Sequence, residues 1–92
     1  MSFDELVWKA QHDSPALEKE NPRGAMAPEL LSGRLAEGMP RDEVRRLLGP
    51  PEHEDELTDV YELGRSSWGV SFEQLAVEYD GGEVVRTQLR RT

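Results

Sequence analysis

The stretch Leu75-Ala76-Val77-Glu78-Tyr79-Asp80-Gly81-Gly82-Glu83-Val84-Val85-Arg86-Thr87-Gln88-Leu89 alternates apolar and polar residues on both sides of a glycine pair. Period-two alternation belongs to strands with one buried face, and Asp-Gly-Gly between two such runs signals a hairpin. A two-residue loop would set Val77 opposite Arg86 and mix the faces. A three-residue loop with Gly82 in the left-handed conformation sets Val77 opposite Val85, so the sequence predicts that loop, with Val85, Thr87 and Leu89 turned to the core. Upstream, Leu57 to Leu63 alternates so that Tyr61 and Leu63 share a face, which supplies a third strand.

Working further toward the amino terminus, the period changes to that of helices. Pro40-Arg41-Asp42-Glu43-Val44-Arg45-Arg46-Leu47-Leu48 has acids in its first turn, arginines in its last and Gly49-Pro50-Pro51 beyond, an order that complements the helix dipole and stops the helix. Met26, Leu30, Leu31 and Leu35 recur at helical spacing, with Pro28 at an early turn and Gly38 as the stop. Two short helices joined through Gly38-Met39 cannot bury both apolar faces without the sheet. Residues 2–12 predict one more helix, with Ser2 and Glu5 at capping-box spacing, Phe3, Leu6, Val7 and Ala10 on one stripe and Trp8 near its edge. Between them, residues 13–24 hold Pro15, Pro22 and Gly24 and few apolar residues, the composition of a hydrated linker. The expected fold is therefore α+β: two short helices packed on one face of a three-stranded antiparallel meander over residues 25–92, preceded by an N-terminal helix and linker over residues 1–24.

Composition narrows the function classes. The 92 residues carry 19 acids against 11 bases, a net charge of −8, which repels a phosphate backbone and argues against nucleic acid as a partner. There is no cysteine, hence no disulfide framework, no thiolate nucleophile, no thiolate metal site and no cysteine for a lipid anchor. No apolar run reaches membrane-spanning length and the amino terminus is acidic, so a cytoplasmic chain with no membrane anchor is expected.

The run from Gly38 to Glu52, followed by Tyr61-Glu62-Leu63-Gly64 and then Leu75-Ala76-Val77-Glu78-Tyr79-Asp80, resembles the SmpA/OmlA (BamE-like) family. Those proteins share a Gly-Met-Ser/Thr helix start, a Leu-Gly-x-Pro stop, an aromatic strand ending in Leu-Gly and a Leu-x-Val-x-Phe-Asp hairpin. The resemblance spans roughly residues 38 to 90 and implies two helices on a three-stranded antiparallel sheet, acting by binding another protein. This chain differs in having Pro40 where the family has Ser or Thr, and in lacking the anchoring cysteine of the members known for outer-membrane assembly.

The most biased window is Glu52 to Glu62, with six acids and no lysine or arginine. Such a run is either a solvated connection that keeps the protein soluble or a docking surface for a basic protein partner, since clustered charge accelerates and orients encounter. The candidate contact residues are Glu54, Asp55, Glu56 and Asp59, joined by Trp68 and Phe72 from the connection between the second and third segments, aromatics that either anchor an interface or cover the core. No catalytic set is expected: Ser66, Ser67 and Ser71 lack a nucleophile-elbow pattern, and neither His12 nor His53 has a metal ligand at helical spacing. The reading is a non-enzymatic protein-interaction module without cofactor or metal. Its alternative is an acidic immunity or inhibitor protein that neutralises a toxin or enzyme. Exchange of the first helix across the linker would give a dimer, so a monomer or a helix-exchanged dimer is expected.

Overall fold

The computed structural model describes residues 3–65 and 71–91. Its sheet is antiparallel throughout and runs in chain order through β1 (His53–Glu54), β2 (Thr58–Arg65), β3 (Phe72–Asp80) and β4 (Glu83–Arg91). The α+β class stands, but the sheet has four strands where the sequence predicted three. The addition is β1, whose two residues pair with Val60 and Asp59 and make the acidic run a hairpin. Two polar residues are too few for a periodicity signal.

The β3–β4 hairpin differs from expectation in an instructive way. Asp80 pairs directly with Glu83, leaving a two-residue loop in which Gly81 and Gly82 both have positive φ, as a type I′ turn requires. The face mixing that such a loop would cause is prevented by a bulge: Tyr79 pairs with Val84 and Glu78 with Arg86, so Val85 is skipped. Val84 is buried beneath the helices and Val85 is 46% exposed, while Val77 meets Thr87 and Leu75 meets Leu89. The expected burial of Val85 is thus transferred to Val84.

Helices cover one face. α1 (Glu5–Ala10) is capped by Asp4, whose carboxylate accepts from the N–H groups of Leu6 and Val7; the predicted cap, Ser2, lies outside the described residues. Its buried residue is Trp8, with Leu6, Val7 and Ala10 exposed, so the buried face lies nearly half a turn away from the predicted stripe. α2 (Ala16–Lys19) follows, then α3 (Ala27–Glu29), flanked by a 3₁₀ turn over Gly24–Met26 and a π turn over Leu30–Arg34, and finally α4 (Arg41–Leu48). The predicted helix after Pro28 is therefore a chain of short turns that nonetheless buries Met26, Leu30 and Leu35. With Val44 and Leu48 of α4 these residues meet Tyr61, Leu63, Leu75, Val77, Tyr79 and Val84 in one core.

Residues 13–24 are not a hydrated linker. Leu17 is buried, Arg23 is sealed from solvent, and backbone bonds tie Arg23 N–H to Leu63 O and Arg65 N–H to Glu20 O. Gly64, at φ +129°, permits this contact: a Cβ there would stand 2.3 Å from Glu20 O. Trp8, placed before this segment, sits at the heart of the core against Phe3 and Tyr61. No helix among the described residues is long and apolar enough to cross a membrane.

Candidate functional site

Alternation along β2 places Asp59 on the same face as Tyr61 and Leu63, beneath the helices. A carboxylate in that position must be compensated, and α4 supplies the means. Arg41 and Arg45, one turn apart on the helix, both reach it: Arg41 Nη2 and Arg45 Nη2 donate to Oδ1 at 2.7 Å, and Arg45 Nε donates to Oδ2 at 3.1 Å. Tyr79 Oη donates to Oδ2 at 2.9 Å. Burial alone would raise the Asp59 pKa, but the hydrogen bonds from Arg45, Arg41 and Tyr79 outweigh it and hold the carboxyl below its ordinary value. The Tyr79 hydroxyl is pushed the other way, first by burial and then by its bond to Asp59.

This network fixes the hairpin tip. Arg41 also donates to the carbonyls of Glu56 at 2.8 Å and Asp55 at 2.7 Å, and its guanidinium lies over the Tyr79 ring. Arg45 adds a bond to Glu54. At the tip itself, Asp55 Oδ1 accepts from Leu57 N–H at 2.9 Å, and Asp55 N–H donates to Thr58 O. Arg41 holds this turn from behind through its main chain, so the Asp55 and Glu56 side chains and Leu57, 59% exposed, face outward around an open depression of about 400 Å³.

Tyr79 N–H donates to Leu57 O at 2.7 Å, extending the β2–β3 ladder and setting the 55–57 tip beside the β3–β4 turn. Asp80 and Glu83, both exposed and paired across that turn, therefore join Asp55 and Glu56 at one end of the sheet. The sequence reading missed these two acids because they belong to a different hairpin. Of its candidates, Glu54, Asp55 and Glu56 lie exposed at this end, whereas Asp59 is enclosed and serves as their anchor, unable to meet a partner directly. Phe72 lies at the far end of β2, opposite Arg65, roughly 23 Å away at the usual rise per strand residue. Trp68 lies outside the described residues.

The remaining acids have other duties. Glu52 Oε1 accepts from Arg23 Nη1 at 2.8 Å and from Glu62 N–H at 2.9 Å; its Oε2 lies 2.8 Å from His12 Nδ1. His12, Asp13 and Glu52 bring one donor atom each within 4.8 Å of one another, a convergence that spacing along a single helix cannot show. Glu52 is already saturated by protein donors, so the trio latches the N-terminal segment to the sheet and a metal would have to displace that latch. His53 Nε2 lies 3.0 Å from Glu62 Oε2 and is exposed.

No family model matches the chain, and no curated protein matches it.

Proposed function

We propose that this chain is a non-enzymatic protein-interaction module of the SmpA/OmlA type whose acidic sheet end receives a basic protein partner. The observation that carries the reading is the division of labour among the acids: Asp59 is buried and neutralised by Arg41 and Arg45, while Asp55, Glu56, Asp80 and Glu83 are exposed along one end of the sheet with no ion-pair partner among the described residues, beside the exposed Leu57 of the same tip. An apolar residue beside a row of one charge sign suits a complementary surface, with the charge steering the encounter and Leu57 supplying contact area.

The test is affinity capture from the native host with the wild-type chain and with Asp55→Lys/Glu56→Lys as bait. A partner that binds the wild type, weakens as salt rises and is lost to the variant supports the reading. A partner held equally by both, with the same salt dependence, overturns it.

A further inference from the structure

β4 is covered over its first two residues and open beyond them. Gly38 N–H donates to Val84 O at 2.7 Å, Val84 N–H donates to Met39 O at 2.9 Å, and Pro40 bridges Glu83. From Val85 to Arg91, no described residue outside β3 bonds the backbone of this strand. An edge of that kind is a template for another strand.

Its two faces carry different chemistry. Arg86, Gln88 and Arg90 share the solvent face, opposite Glu78, Ala76 and Gln74. Arg86 bonds Glu78 at 2.8 Å yet stays 62% exposed, and Arg90 has no carboxylate opposite it. On the helix side, Val85 and Leu89 are 46% and 49% exposed, and a groove of about 220 Å³ runs between Leu35 and Glu37 and the Val84–Thr87 stretch. A second β4 paired antiparallel about Gln88 would set Arg86 opposite Arg90, a like-charge pair that an acidic segment avoids.

We propose that the open edge of β4 takes up an extended partner segment of alternating acidic and apolar residues as a fifth strand, its acids meeting Arg86 and Arg90 and its apolar side chains covering Val85 and Leu89. Main-chain bonds supply affinity in this mode, and the alternating side chains supply selectivity. The surface is distinct from the acidic end and opposite to it in sign, so the two could be occupied together.

The experiment uses the full chain and a labelled octapeptide alternating glutamate and valine, with a lysine–valine octapeptide as comparison, read by fluorescence anisotropy and by hydrogen exchange of the β4 amides. The expected result is saturable binding of the glutamate peptide, slowed exchange within Val85–Arg91, and an affinity at least about tenfold lower for the lysine peptide and for the Arg86→Gln/Arg90→Gln variant. Circular dichroism of that variant checks that the fold is kept. Absence of binding, or equal binding of both peptides, would show that the arginines merely guard the edge and would overturn the proposal. Sedimentation showing a dimer that protects the same amides without peptide would also overturn it, in favour of a second copy.

Discussion

Arg23 Nη1 lies 2.8 Å from Glu52 Oε1 with both side chains almost wholly sealed from solvent, at 0% and 4% exposure. The same guanidinium donates twice to Trp8 O and once to Glu62 O, and its plane lies over the Trp8 ring. One cation thus joins α1, the 13–24 segment, the end of the Pro-Pro stop and β2. Removing it would strand a buried carboxylate. We expect Arg23→Met to lose about 3–5 kcal/mol in urea denaturation, and Arg23→Met/Glu52→Gln to recover part of that loss, because the second change removes the uncompensated charge.

Asp59 gives the fold a defined acid limit. Its folded pKa is depressed, so in acid the unfolded chain binds more protons than the folded one at this site. Its stabilisation is complete above the ordinary aspartate value near pH 4 and is lost as pH falls through the lower folded value. Asp59→Asn should cost about 2–4 kcal/mol at neutral pH. It should also flatten the stability curve below about pH 4, as followed by thermal melts across that range.

The tight approach at Gly64 predicts a steric effect. Gly64→Ala would place a methyl group against the main chain of Glu20 and Asn21 at a positive φ, with neither neighbour able to yield cheaply. A loss of more than about 2 kcal/mol is expected, together with faster hydrogen exchange at Arg65 and Arg23, whose amides bond across this junction.

Leu57 separates binding from stability. Its side chain is exposed at the tip and contributes nothing to the core cluster, so Leu57→Ser should change the unfolding free energy by less than about 0.5 kcal/mol. Loss of partner capture by this variant, at unchanged melting temperature, is the expected outcome.

Much of the architecture was legible because it rests on period and punctuation. The α4 limits follow from Asp42 and Glu43 at its start and Gly49 at its end, and the strands from Tyr61/Leu63 and Leu75/Val77/Tyr79. Asp59 was equally legible: it shares parity with Tyr61 and Leu63, but a run of acids read as one block conceals a member turned inward. Val84 was harder, since a bulge adds one residue to a strand without leaving a compositional mark. The misread 13–24 segment shows a different limit. Its proline and glycine content describes local conformation, whereas Arg23 is held by partners 15 to 39 residues away, which no local window contains. Asp80 and Glu83 became part of the candidate site only through strand register.

The central claim concerns position, not net charge, and one comparison isolates the two. Asp55→Asn/Glu56→Gln/Asp80→Asn/Glu83→Gln and a control, Asp13→Asn/Glu18→Gln/Glu20→Gln/Glu37→Gln, remove the same four charges from exposed sites. Binding of the captured partner to both, measured by titration calorimetry, should show an affinity loss of at least about tenfold for the first set and near-wild-type binding for the second. Equal losses would mean that the partner senses only overall charge, and unchanged binding in both would mean that it docks elsewhere.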